Sequence, residues 1–341
     1  MTEKEFILLK NNPLILGNEI SHHIEFYETH ISYLLILSEY VYKIKKTVKL
    51  PFLDFSELQL RQKACTQELL LNLRTAPSMY IDLYEVKNVQ DRISIGGSYG
   101  RTIDYAVRMK KADNNLEMDQ VLARNEVEKK HMEKLASLVA QFHQKTFAVH
   151  KVWDLQGLKD TYNQLQAWSN LAGHALGKDY QRTIHDSCDL SDHFLTKNID
   201  KMNKRSQMSL VRDVHGDLHS RNIFLENNPI IFDCIEFDDD LRQIDLLNEI
   251  AFFIMDMEFF GADELARHFY NHYVSMMLAA GYETLEDDAI LNYFKMYRAS
   301  VRAKVGFISL DKQKEETKQQ DLGEEITRYL NLVKRYSLLL T

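Results

Sequence analysis

Residues 211–237 read VRDVHGDLHSRNIFLENNPIIFDCIEF. The stretch is apolar in short runs and broken by Asp, Gly, Asn and Pro, which predicts a loop followed by a tight β-hairpin turning at Asn227-Asn228-Pro229. Asp217 and Asn222 stand five apart on the loop, and Asp233 follows eleven residues later, at the end of the apolar run Ile230-Ile231-Phe232. If residues 223–225 pair with 230–232, Asn222 and Asp233 come to the same end of the hairpin, beside Asp217. Two carboxylates and one amide oxygen then meet at a point. Phosphoryl transfer has use for such a cluster. Its transition state spreads negative charge over phosphoryl oxygens, so catalysis is mostly positioning and electrostatic stabilisation. A hard Mg²⁺ takes a few carboxylate and amide oxygens and completes its shell with phosphates and water.

Composition narrows the setting. The chain has 341 residues, of which 45% are apolar and 11% aromatic, enough for a sizeable core and too many for wholesale disorder. Its length is a prior for two domains at ~100–200 residues each. A net charge of −8 makes nucleic acid a poor partner. Four Pro and 12 Gly argue against collagen-like, low-complexity and turn-rich all-β designs. No apolar stretch approaches the ~20 residues of a membrane span, so no membrane association is expected. MTEKEF at the start lacks a signal-peptide pattern. Cys65, Cys188 and Cys234 share no metal spacing and read as buried, reduced thiols of a cytoplasmic protein.

Working outward, the first third is mixed in character. Residues 31–37 and 40–46 read as strands, the second being YVYKIKK, which sets Val41, Lys43 and Lys45 on one face. A break at residues 51–55 precedes a helical pattern, SELQLRQKACTQELLLNLRTAP, with Ser56 as N-cap and Pro77 as its end. Residues 80–86, 93–95 and 102–109 are further strands, and GGSYG at 96–100 reads as a hairpin turn. GGSYG resembles a phosphate-cradling loop only in part, since a strand follows it where a helix is needed. Polar KKADNNLEMDQ connects to a mostly helical remainder, including 126–145, 151–209 and the segment from 241 onward. Residues 311–321, DKQKEETKQQD, read as a solvated face or loop.

HGDLHSRN followed by IIFD resembles the aminoglycoside phosphotransferase and choline kinase branch of the protein-kinase-like fold. The resemblance implies an α+β, bilobal architecture. A small antiparallel-sheet N-lobe with one helix would run over 1–111, and a larger helical C-lobe over 112–341, with 151–209 a substrate-side helical insertion. It implies an ATP- and Mg²⁺-dependent transfer of the γ-phosphoryl group to a hydroxyl of a small molecule. Asp217 then corresponds to the catalytic base, and Asn222 and Asp233 to the Mg²⁺ ligands. Lys43 or Lys45 would grip the phosphates, the family phrasing favouring Lys43, with Glu68 as its helix partner. Strand 102–109 would lead into a hinge near 110–112, which makes Met109 and Lys111 nucleotide contacts. Asp245, in Arg242-x-x-Asp245, reads as structural, and His219 as a loop brace.

YKIKK, the Cys-x-x-Glu-Leu helix ending in Ala-Pro, YAVRM, HGDLH and DCIEF are similar to phrases of an uncharacterised bacterial branch of this family, so the resemblance covers roughly residues 25–260. One departure is minor: Ser220 stands where the family often has Pro. The other matters. Residues 24–42 contain no Gly, so the usual glycine-rich lid is absent, which keeps open a nucleotide-binding regulatory pseudokinase. GDLHSRN also resembles one block of calcineurin-type metallophosphoesterases, whose flanking blocks the chain lacks. The acidic residues Glu236, Asp238, Asp239 and Asp240 form either a solvated loop or a pocket rim that attracts a cationic substrate.

Overall fold

The alternation in Tyr40–Lys45 organises the first part of the chain. Tyr42 and Ile44 are buried on one face of the sheet, and Val41, Lys43 and Lys45 point to the other. The computed structural model describes residues 1–11, 14–15, 24–50, 53–90 and 92–341. The predicted break at 51–55 begins on residues 51 and 52, which lie outside the described residues. The chain forms two compact units, residues 1–120 with 222–241 and residues 121–221 with 242–341.

In the first unit, seven strands form one sheet: β1 (Leu14–Ile15), β2 (Glu25–Glu28), β3 (Ser32–Ile36), β4 (Tyr40–Lys45), β5 (Tyr80–Val89), β6 (Arg92–Ile95) and β7 (Arg101–Lys110). Their order is β1-β6-β5-β7-β4-β3-β2, antiparallel except for the β1–β6 edge. Helix α1 (Glu3–Asn11) packs Phe6 and Leu9 against Tyr33, Leu35, Tyr42 and Ile44. Phe6 stacks on Tyr33 with ring centroids 3.9 Å apart. Helix α2 (Leu58–Asn72) covers the opposite face, where Cys65 joins Tyr80, Val107 and Met109. Buried Arg61 ties α2 down, its Nε donating to Asp104 Oδ1 and Oδ2 at 3.1 and 2.9 Å. The predicted hairpin is present as strands Ile223–Phe224 and Ile230–Ile231, with Ile223 opposite Ile231.

Two expectations are corrected here. Ser56 does not cap α2, because Asp54 Oδ1 takes both its amide and its hydroxyl, and Glu57 holds the cap position without a side-chain bond. GGSYG is not a hairpin turn. β6 pairs with β5, and β7 pairs with β5 on its other edge, so the segment carries the chain across β5. That crossing explains its glycines: Gly96, Gly97 and Gly100 all have positive φ.

The second unit is helical. Its main elements are α3 (Lys129–Lys145), α4 (Lys178–Gln207), α5 (Leu246–Phe259), α6 (Asp263–Ala279), α7 (Asp288–Lys312) and α8 (Glu316–Leu340). Residues 151–209 are helical as the pattern requires, and 311–321 hold the break between α7 and α8. Helix α5 is the core element, buried on every side except at Glu258. Strands Val211–Asp213 and Gln243–Asp245 pair antiparallel just ahead of it. Asp245 caps α5 through Leu247 N–H at 2.8 Å, and Arg205 grips the same carboxylate at 2.7 and 2.8 Å, as a structural reading requires. Among the described residues no helix is long and apolar enough to cross a membrane. The fold is thus α+β, with an antiparallel sheet in one unit and helices in the other.

A Cβ at Gly100, where φ is 101°, would lie 2.7 Å from Asn88 O and from Val89 Cγ2. Gly100→Ala is expected to cost about 1–3 kcal/mol through strain at that crossing. Urea unfolding checks it, and an unchanged midpoint would contradict the close approach.

Candidate active site

Because β4 alternates, Lys43 and Lys45 reach the α2 face together, and Glu68 on α2 meets both. Lys43 Nζ is 2.8 Å from Glu68 Oε1, and Lys45 Nζ is 2.6 Å from Oε2. Each lysine also has a second acid from the hairpin segment. Lys43 Nζ donates to Asp233 Oδ1 at 2.6 Å, and Lys45 pairs with Glu236. The two lysines differ in access: Lys43 is 13% exposed and Lys45 is 1%. Of the two side chains, that of Lys43 has the greater access to solvent. Burial alone would discharge Lys43, but Asp233 and Glu68 raise its pKa well above the ordinary lysine value. Burial likewise favours neutral Glu68, yet the two ammonium groups hold it below the usual carboxylate range. The expected Lys43–Glu68 pair therefore exists as part of a five-residue chain of charges, Asp233–Lys43–Glu68–Lys45–Glu236.

The hairpin presents the acids. Phe232 N–H donates to Asn222 O at 3.0 Å, which closes the strands and brings Asn222 and Asp233 to one end. Phe224 and Phe232 stack at 4.9 Å and join the Met79–Tyr80–Met109 cluster. Asp233 adopts φ 61°, a left-handed conformation that Asp tolerates better than most residues. Cys234 N–H donates to Asn72 Oδ1 at 2.9 Å, and Arg74 Nη2 reaches Cys234 Sγ at 3.3 Å. The acid-bearing segment is thereby fixed at Asp233, Cys234 and Glu236 in turn. Glu236 was one of the acids read as solvated loop or pocket rim; it is buried in its ion pair and belongs to neither. An acid three residues beyond a candidate metal ligand, in a chain with a spare lysine on the strand, was the signal available for it.

Asp217 lies on the loop before this hairpin, in the second unit. Helix α5 holds that loop. Glu249 accepts His215 N–H at 2.8 Å and Gly216 N–H at 3.0 Å, and Asp256 accepts Ser220 N–H at 2.7 Å. Arg298 on α7 donates to Gly216 O at 3.2 Å and to Asn248 Oδ1 at 2.7 Å. Polar side chains on a buried helix must find partners, and here the loop backbone supplies them. Burial pushes the Glu249 carboxyl up to about 7, against the opposing influence of Arg298. Asp217 is held the other way. Burial disfavours its charge, but His219, whose Nε2 is 3.3 Å from Asp217 Oδ2, keeps it below the usual carboxylate range. His219 rests on Phe252 at 5.2 Å, in keeping with a brace. The sequence reading missed Glu249 and Asp256; an acid inside the apolar run LLNEIAFFIMDM was the clue.

Met109 is buried in β7, and Lys111 follows the strand on the surface. Lys110 N–H donates to Met79 O and Lys111 N–H to Glu39 O, each at 2.7 Å, so neither amide is open to a ligand. Among the described residues no group of three or more His, Cys, Asp and Glu is arranged to hold a metal. The hairpin pairing brings an amide residue, Asn222, and a carboxylate residue, Asp233, to the same end.

No protein-family profile matches the chain. It is similar to uncharacterised proteins of Mycobacterium bovis and Mycobacterium tuberculosis, with 27% identity over 299 residues, 85% of this chain and 56% of theirs. The chain thus spans little more than half the length of those relatives. Among solved structures it is similar to a choline kinase from Cryptosporidium parvum, with TM-score 0.57 and 14% identity over 99% of this chain and 96% of that one. A Plasmodium vivax ethanolamine kinase gives TM-score 0.53 and 10% identity over 98% and 87% of the two chains. A glucosamine kinase in complex with glucosamine, ADP and inorganic phosphate gives 0.52 and 11% over 97% and 82%. At such identities the likeness is one of fold, and the fold is that of these small-molecule kinases.

Two predictions follow from the buried charges. Lys45→Met leaves Glu236 without its cation and is expected to cost about 3–5 kcal/mol, much of which Glu236→Gln restores in the double variant; additive losses in denaturant titrations would refute the coupling. Glu249 ionises at about 7 rather than 4.5, so its charging costs stability as pH rises through that window, by up to roughly 3 kcal/mol. The stability of Glu249→Gln relative to the unmodified chain should therefore increase from pH 5 to pH 8, and a flat difference would be evidence against the buried charge.

Proposed function

We propose that this chain is a phosphotransferase that moves the γ-phosphoryl group of ATP to a hydroxyl of a small molecule, with Mg²⁺. The observation that carries the reading is the placement of Lys43, whose ammonium is shared between Glu68 and the left-handed Asp233. An ammonium fixed by a buried acid is a ready phosphate ligand, and an acid beside it with room for a metal serves the same phosphates. Mg²⁺, held by Asn222 and Asp233, would neutralise charge on the phosphate oxygens. The fold shared with choline, ethanolamine and glucosamine kinases supports the reaction class.

Asp217 would orient the acceptor hydroxyl. It is ionised throughout the neutral range, so it accepts the hydroxyl's hydrogen bond and takes the proton as the new P–O bond forms. Its backbone is held by Glu249 through the preceding amides, and its carboxylate faces His219. Lys43 would lose Asp233 to the metal and exchange it for phosphate oxygens, with Glu68 keeping the ammonium in place. The adenine would be read by groups other than the Lys110 and Lys111 amides, with Met109 contributing its side chain to the pocket wall.

The lid question favours one competing reading. The β2–β3 turn contains Thr29, His30 and Ile31 and no glycine, so the backbone cannot approach phosphates as a glycine-rich lid does. A regulatory pseudokinase would bind MgATP without turnover. An ADP-release assay across hydroxyl-bearing metabolites separates the two: any stimulation that Asp217→Ala abolishes, with MgATP affinity retained in that variant, supports the transferase. Asp233→Ala should lose the Mg²⁺-dependent part of ATP binding. Normal turnover by Asp217→Ala would overturn the assignment.

A further inference from the structure

Helix α7 runs past the Asp217 loop. Arg298 is spent on Gly216 O and Asn248. Arg302 sits one turn further along the same helix and is spent far less. Its Nε donates to Tyr329 OH at 3.2 Å, and its guanidinium lies 5.5 Å from the Tyr329 ring centroid. Its Nη2 is 3.6 Å from Glu325 Oε1, beyond hydrogen-bond reach. The same Glu325 oxygen is 3.7 Å from Arg221 Nη2, four residues after Asp217. Two guanidinium groups thus stand in ion-pair reach of one carboxylate oxygen. Among the described residues no acceptor lies within hydrogen-bond distance of the Arg302 Nη groups, although the side chain is only 18% exposed. Asp256 is near but already accepts Ser220 N–H. Arg302 and Asp217 are close enough to bias each other's ionisation.

A half-buried guanidinium with an open fork is suited to a carboxylate or phosphate, which it binds bidentately. It is unsuited to an ammonium, which it repels. The acids that had offered a cation-attracting rim are partly withdrawn, since Glu236 is consumed by Lys45. We propose that the acceptor taken at Asp217 is a hydroxyl compound bearing an anionic group, and that Arg302 binds that group. This rests on the phosphotransferase reading and names its substrate class. It parts the chain from its structural neighbours, whose named substrates are amines.

The test uses the full chain with a non-hydrolysable ATP analogue and Mg²⁺, so that the nucleotide's own phosphate positions are filled. D-glycerate and inorganic phosphate are titrated by calorimetry, beside glycerol, choline, ethanolamine and glucosamine. The expected result is binding of at least one anion, weakened about tenfold or more in Arg302→Gln, with nucleotide affinity unchanged. Arg302→Lys, which keeps the charge and loses the fork, should fall between. Tyr329→Phe removes the tyrosine bond to Arg302 and should leave anion affinity largely intact, which separates recognition from a folding defect. Anion binding that is absent, or equal in Arg302→Gln, overturns the proposal. So does ADP release stimulated by any of the three amines. A fall in basal ATP hydrolysis without loss of anion affinity would assign Arg302 to the transferring phosphoryl group and also overturn it. Failure of the nucleotide analogue to bind would instead sink the phosphotransferase reading, and the anion titration without nucleotide would still report on Arg302.

Discussion

One buried carboxylate, Glu68, answers to two lysines. A fully buried acid survives ionised only beside compensating cations, and here each oxygen has its own. Much of the first unit is arranged to make that possible. Strand alternation puts Lys43 and Lys45 on one face, and packing against Cys65, Tyr80 and Val107 brings α2 over them. Arg61 anchors the same helix to Asp104 on β7. Had Glu68 a single lysine, that one cation would have to neutralise a fully buried acid and, in the proposed reaction, serve the phosphates as well. With Lys45 sealed in place, Lys43 would exchange Asp233 for phosphate oxygens at lower cost while keeping Glu68. The second pair, Lys45 with Glu236, extends the same logic to the hairpin segment and fixes the residues around Asp233.

The second unit solves a related problem differently. Helix α5 is almost wholly buried, yet it carries Asn248, Glu249 and Asp256. Each is committed to the loop at 215–220 or to Arg298. Backbone amides, unlike lysines, bring no formal charge, so Glu249 keeps a raised pKa where Glu68 is lowered. The cost is borne by stability at neutral pH, and what it secures is the backbone geometry at Asp217. Buried polar networks of this kind are costly when partly satisfied and rigid when complete.

Much of this was legible in the sequence where the chemistry is local. HGDLHSRN and IIFD specify a loop and hairpin because Gly, Asn and Pro restrict the backbone there, and YVYKIKK shows its period directly. Ser56 misled because a cap is decided by competition, and Asp54, two residues back, took its donors first. GGSYG misled because turn residues state that the chain reverses, not which strand it will meet; the β5 strand lies between β6 and β7. Glu236 and Glu249 were invisible as functional groups because their partners lie far away in sequence, at Lys45 and at the His215 and Gly216 amides. Lys43 and Lys45 share one strand face in the sequence, where only the family phrasing favoured Lys43; their difference in burial is decided by tertiary packing.

A carboxylate held below its usual pKa looks a poor base, and under the proposed transfer this constrains the part that Asp217 would play. A weak base cannot ionise an alcohol in advance. It need not, because phosphoryl transfer runs through a loose transition state in which the hydroxyl proton leaves late, once the new P–O bond has made the oxygen acidic. What the step asks of Asp217 before then is a fixed, charged acceptor that aligns the hydroxyl. His219 supplies the charge bias, and Glu249 supplies the fixity through His215 and Gly216. Under that proposal the loop would contribute alignment and constant charge, and the driving force for proton loss would be left to the reacting phosphoryl group.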